Sequence, residues 1–343
     1  MALTTDENII RSISRDSSID FLRVLGLCMV TIVHVNAPYS VELLAYCGVP
    51  LMIFVSGLCV NTSKVQFSWH VLLHRLKRLL VPLWFFLTIY WLVFYRIVNP
   101  KFYEVVQTFA MLGVAPYVWI IRVFIILACL TPVLVKMLRM YNQRITGGAF
   151  VIVAIILQEI LCYIYAHCSI LHYPVIKLIM RDYILYIIPY ALIFMSAIYL
   201  KTAEYWVQVR SLVLYAILLA IACLIFRFVS NDWENTYWLF QYKYPPRYMY
   251  TLYGLFGVQF IYLFRKYFEQ LGKNRLVVWI SRNSLWIYFY HIPCVQFIPF
   301  HLIDNHIEHG GFVIRWIVCI TIACVLTALQ NTLNNIVVKK WYK

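Results

Sequence analysis

Residues 183–200 read YILYIIPYALIFMSAIYL, a run with no charged side chain. At 1.5 Å per residue a helix of that length rises about 27 Å, close to the roughly 30 Å hydrocarbon core of a bilayer. Mostly apolar runs of this kind recur at 19–37, 41–60, 79–98, 116–136, 148–166, 183–200, 211–228, 248–264, 277–298 and 312–334. The pattern predicts an all-α integral membrane protein with about ten transmembrane helices. One polytopic domain is expected over 19–334, with a polar head at 1–18 and a basic tail at 335–343.

Composition points the same way. Hydrophobic residues fill 63% of the 343 positions, charged ones 13%, and mean hydropathy is +0.78, values that exclude a water-soluble globular domain. A formal charge of +15 raises the question of nucleic acid. The cations instead alternate by side of the predicted helices. Arg75, Lys77, Arg78, Lys136, Arg139, Arg144, Arg265, Lys266, Lys273 and Arg275 fall on the side of the N-terminal head, whereas the opposite loops hold Lys101, Lys177, Lys243 and Arg247. By the positive-inside rule both termini are expected in the cytoplasm, and the excess charge is accounted for without nucleic acid. The first apolar run carries Asp20 and Arg23 at its start and lacks a small-residue cleavage site, so it reads as a retained helix. Ten scattered cysteines without CxxC spacing read as small core residues.

Ionisable groups inside spanning helices are costly and need a reason to be there. Asp20 and Arg23 lie three apart on one helical face, where an ion pair is easy. His34 lies eleven residues beyond Arg23, about 16 Å along the axis and on nearly the same face. Asp20 is too far from His34 to orient it, so a hydrolase-type triad on this helix is excluded. Spacing leaves His34 open between a packing residue and a general base. Arg75 and Arg78, three apart in the segment leading into the third helix, form either a fork for phosphate or a contact to anionic lipid. Trp119 and Arg122 share a face near the predicted outer end of the fourth helix, where Arg122 is expected to face a polar cavity. Ser284, Tyr288 and His291 belong to an unusually polar stretch of a late helix. His291 and His34 stand at comparable depth above the starts of their helices, so a shared cavity is expected. His301, Asp304, His306 and His309 match no standard metal-ligand spacing, and no metal is expected.

In their order along the chain these residues resemble acyltransferase family 3, the membrane-bound O-acyltransferases of bacterial surface polysaccharides. The resemblance rests on Asp20, Arg23 and His34; on Val49 through Gly57 in the second helix, where the usual double Phe is reduced to Phe54; on Arg75 and Arg78; on Trp119 with Thr131 and Pro132; and on Ser284, Tyr288 and His291. It implies a multi-pass protein of the bacterial inner membrane and an acyl-CoA donor, usually acetyl-CoA, gripped by Arg75 and Arg78. It further implies catalysis by His34 with Arg23, and a glycan or lipid-linked oligosaccharide acceptor such as O-antigen of lipopolysaccharide. Trp119, Arg122, Ser284, Tyr288 and His291 are candidates for the acceptor pocket, and Asp20 for a structural ion pair. The alternative is a polytopic exporter of a polysaccharide or its precursor, which has no need of a phosphate-gripping Arg pair.

Overall fold

The computed structural model describes residues 16–65, 68–98, 101–112, 117–141, 147–168, 173–230, 238–300 and 311–341. Among them there are helices and no strands, in the order α1 Ser17–Val33, α2 Tyr39–Ala45, α3 Gly48–Leu58, α4 Trp69–Val98, α5 Phe102–Phe109, α6 Trp119–Tyr141, α7 Gly147–His167, α8 Pro174–Ile179, α9 Leu185–Thr202, α10 Tyr205–Ser230, α11 Trp238–Gln241, α12 Tyr248–Leu263, α13 Glu269–Gly272, α14 Arg275–Phe297 and α15 Gly311–Trp341. A π-helical turn, Met180–Ile184, joins α8 to α9.

Each of the ten predicted runs falls on helix, but seven stretches are long and apolar enough to cross a membrane by those criteria. The exceptions have physical causes. Helices α1 and α12 are 17 and 16 residues long, rises of only about 25 Å, and α14 carries Arg275, Arg282 and a polar face. The head-side cations are also not in a loop as expected: α4 begins at Trp69, so Arg75 and Arg78 lie in its first turns.

The stretches differ in what surrounds them. Tyr39–Leu58 and Pro174–Thr202 are 67% buried in protein, whereas Gly148–His167, Tyr205–Phe228 and Gly311–Asn334 are 17% buried. The latter three expose Ile, Leu and Val along their flanks, which only a lipid environment accepts. Helix α3 is the centre of the bundle, packed on α1, α9 and α12.

Close approach at that centre depends on missing side chains. A Cβ on Gly48 would meet the backbone nitrogen of Val30 at 2.7 Å, and one on Gly57 would meet the carbonyl oxygen of Phe194 at 2.5 Å and Cβ of Ala197 at 2.8 Å. Lipid competes equally for apolar faces, so helix association within a bilayer relies on such small-residue contacts.

Helix α1 starts at Asp16, whose side chain accepts from the Ser18 amide at 3.0 Å, and it stops at His34 because Asn36 turns left-handed at φ 53°. The chain thereby delivers His34 to one end of the bundle and leaves Asp20 and Arg23 at the other. Gly57→Ala is expected to destabilise the protein by about 1–3 kcal/mol, because the new methyl meets backbone. Gly148→Ala, whose methyl meets only the movable end of Leu214, serves as the mild control. Thermal unfolding of the two variants in one detergent checks this, with the larger loss expected for Gly57→Ala.

Candidate active site

The end of α1 and the middle of α14 meet through two imidazoles. Nδ1 of His34 lies 2.8 Å from Nε2 of His291, and the rings are stacked with centroids 5.1 Å apart. His291 is completely buried, and its Nδ1 contacts the carbonyl oxygen of Tyr288 one turn earlier. A carbonyl oxygen only accepts, so Nδ1 of His291 carries a proton, and in the neutral ring Nε2 is then the acceptor. Nδ1 of His34 must therefore donate, which leaves Nε2 of His34 as a basic lone pair. The tautomers follow from the partners alone.

Two more contacts close a circuit. The Tyr288 hydroxyl donates to the carbonyl oxygen of Tyr117, and the ring of Tyr117 stacks on His34 with centroids 3.8 Å apart and planes at 26°. Tyr117 holds φ 53°, a left-handed conformation that costs a non-glycine residue about 1 kcal/mol or more and persists only where its surroundings enforce it. Here the Tyr288 bond and the imidazole face do so. Each member of the set is thus fixed by its neighbour.

His34 borders a narrow cavity of about 10 Å³, room for one water, lined also by Tyr46, Trp119, Lys243, Tyr244 and Tyr288. Trp119 packs edge-on against Tyr186 and Tyr244, with centroids 5.7 and 5.5 Å away, so the wall is aromatic. Lys243 is 5% exposed and lies over the rings of Tyr46, at 4.5 Å, and Tyr244, at 5.0 Å. Burial pushes its ammonium down to about 8, with the carboxylate of Glu42 opposing that shift.

The sequence candidates divide between this place and others. His34, Tyr288 and Trp119 come together around the cavity, with His291 completely buried behind His34. Arg122 does not face it: the guanidinium is 1% exposed, donates to the carbonyl of Met111, lies 4.0 Å from Asp182 and sits over the rings of Tyr183 and Tyr186. The π turn swings Asp182 toward it, and Arg181 clasps the same carboxylate with two bonds of 2.9 Å. Arg122 thus ties α6 to the turn before α9. Ser284 is half-buried two turns below His291 and does not line the cavity.

At the opposite end Arg23 donates to Oγ of Ser281 at 3.1 Å, and Ser281 donates to Asp20 at 2.6 Å. Arg23 and Asp20 are 4.0 Å apart, so Ser281 of α14 bridges the pair read from α1. Arg23 is not brought to the imidazoles; about 16 Å of helix separates them. Arg75 is half-buried and Arg78 exposed, and among the described residues neither has a hydrogen-bond or carboxylate partner. Eleven residues further along α4, Phe86 stacks on Phe289 with centroids 5.0 Å apart, two residues before His291. One helix therefore runs from the arginines to the level of the histidines. His301, Asp304, His306 and His309 lie outside the described residues.

The family model described as an acyltransferase domain, acyltransferase 3, matches residues 16–329, nearly the whole chain. The chain belongs to this acyltransferase family. It is accordingly a membrane acyltransferase, with several apolar helices that make it multi-pass. No curated protein and no solved structure matches it. The matched region includes every element of the imidazole circuit and both arginine-bearing ends.

A roomier cavity lies elsewhere, a cleft of about 910 Å³ between α7 and α10 lined by residues such as Ile152, Ile156, Leu218 and Ile221. Its charges, Glu159 and Arg247, neutralise each other at 2.5 Å. His167 also lines it, with Nδ1 donating to the Tyr163 carbonyl at 2.9 Å, but the cleft lies between two of the least protein-covered helices, where lipid reaches it.

Tyr117 and Lys243 had no weight in the sequence reading. The usable signal for Lys243 was the tyrosine on either side of it, Tyr242 and Tyr244. Tyr288→Phe removes the hydroxyl that holds the Tyr117 carbonyl. A fall of about fivefold to tenfold in acyl transfer is expected, the value of one such bond, with folded yield unchanged in size-exclusion chromatography.

Proposed function

We propose that the chain transfers an acyl group, acetyl in the simplest case, from coenzyme A to a hydroxyl of a surface glycan such as O-antigen. The observation that carries this reading is the His34–His291 hydrogen bond, which leaves Nε2 of His34 free as a base at a cavity walled by aromatic rings. The space itself admits only a reacting hydroxyl, aromatic rings around it suit the sugar that bears one, and a neutral imidazole suits the hydroxyl proton.

The donor approaches from the end that holds Arg75 and Arg78, taken as cytoplasmic from the charge asymmetry. Coenzyme A carries phosphates, and two guanidiniums without carboxylate partners among the described residues supply the planar donors that bind them. The pantetheine arm then passes Arg23 and extends about 16 Å toward His34, bringing the thioester to the imidazole. The acceptor hydroxyl attacks the thioester carbonyl carbon while Nε2 of His34 takes its proton. Collapse of the tetrahedral intermediate breaks the C–S bond, and the leaving thiolate recovers that proton. His291 holds the His34 tautomer throughout. Trp119 packs the acceptor side.

The reading places the enzyme in a bacterial inner membrane, with O-antigen or its lipid-linked precursor on the far side. His34→Ala is expected to lower acetylation of surface polysaccharide by at least about 100-fold, the usual worth of a general base. Arg75→Lys is expected to raise KM for acetyl-CoA about tenfold, through loss of one charge-assisted bond. O-acetyl content measured by NMR, with membrane levels of the variants matched, checks the first, and thiol release from acetyl-CoA checks the second. Full acetylation by His34→Ala would defeat the proposal.

A further inference from the structure

We infer that Lys243 is the electrophile of the site: its ammonium binds the oxyanion that forms on the acyl carbonyl when the acceptor attacks. The inference rests on the acyl-transfer reading above and adds the group that receives the developing charge.

Lys243 sits in the turn between α11 and α12, far from α1 in sequence, and lines the same cavity as His34. It is 95% covered by protein, at 5% exposure, yet among the described residues no carboxylate reaches salt-bridge distance and no acceptor takes its N–H groups. Glu42, which opposes its deprotonation, is engaged by the Tyr46 hydroxyl at 3.2 Å. What Lys243 has instead is two ring faces, Tyr46 and Tyr244, which favour the charge but satisfy none of the three donors. A buried ammonium with unspent donors is costly unless an anion arrives. Acyl transfer creates one anion at this place, the oxygen of the tetrahedral intermediate, a few ångströms from the proton acceptor. Donors aimed at such an oxygen in a desolvated site bind the transition state more tightly than the substrate.

The turn that carries Lys243 is tightly held. The Arg247 amide donates to the Tyr242 carbonyl at 2.9 Å, and Arg247 is locked to Glu159 of α7. The lysine stem is therefore presented by a fixed scaffold, as preorganised electrostatics requires.

In the step itself, the acceptor oxygen forms the new C–O bond, Nε2 of His34 receives the hydroxyl proton, and the carbonyl electrons move to the oxygen beside Lys243. Re-formation of the carbonyl expels the thiolate, which takes the proton from His34. Lys243 keeps its own protons. The titratable groups facing it are His34 of α1, Glu42 of α2, Tyr46 after it, Tyr244 of its own turn and Tyr288 of α14. A tyrosine's ordinary range is near 10, a carboxylate's near 4 and a histidine's below 7, so Lys243 is the group whose charge changes near pH 8. As a cation that must stay protonated, it contributes below that pH and is lost as pH rises through it.

The test uses full-length protein in membranes that contain the host polysaccharide, with acetyl-CoA as probe and free thiol as readout. Lys243→Met is expected to lower kcat about 100- to 1,000-fold with KM for acetyl-CoA within about threefold, the signature of a lost oxyanion donor. Lys243→Arg, whose charge persists, is expected to keep measurable turnover and to lose the alkaline fall in kcat/KM near pH 8. Unchanged kcat in Lys243→Met, or an alkaline limb that stays in place in Lys243→Arg, would overturn the role of Lys243 while wild-type turnover leaves acyl transfer standing. Wild-type thiol release no greater than that of His34→Ala would bring down both. If Lys243→Met fails to fold, the pH profile of Lys243→Arg decides alone.

Discussion

A base inside a helical bundle is useful only if one nitrogen is committed and the other is free. In this chain the commitment begins with a single backbone oxygen. The Tyr288 carbonyl accepts from Nδ1 of His291, and from that contact the protonation of four imidazole nitrogens follows in turn. The same tyrosine, through its hydroxyl, holds the strained Tyr117 whose ring covers His34. Helix α14 thus fixes the chemistry of a residue that belongs to α1, and the packing of α1, α3 and α9 exists around that arrangement. Without close approach at Gly48 and Gly57, the helices would not meet at the distances the circuit requires.

The bundle separates two kinds of polar cluster by the length of a helix. At one end Asp20, Arg23 and Ser281 satisfy one another, and at the other His34, backed by His291, borders a cavity with Lys243 and the tyrosines. Each cluster is satisfied by partners from a different helix, so α1 and α14 are tied together at both levels.

Much of this is legible in the amino acids, for a definite reason. Rise along a helix is constant, so counting residues gives depth: His34 and His291 were placed at one level by counting alone, and they touch. Azimuth is less secure. Arg122 and Ser284 have plausible depths but point elsewhere, Arg122 into a carboxylate supplied by the π turn, which no periodicity signals. The ten apolar runs are all helical, yet three of those helices are too short or too polar to qualify as spans, because a helix covered by neighbouring protein need not match the bilayer by itself. Lys243 reads as a loop charge, and only the tyrosines on either side of it hint at its burial.

Helix α4 carries Pro82 between its arginines and its contact with Phe289. Proline lacks the N–H that would bind the carbonyl four residues earlier, here that of Arg78 itself. The rod is therefore jointed just above the arginine pair. The turn that holds the arginines is not tied to the next turn through that bond, while the upper section is braced on α14 by Phe86 and Phe289. The arginine turn and the braced section are mechanically distinct parts of a single continuous helix.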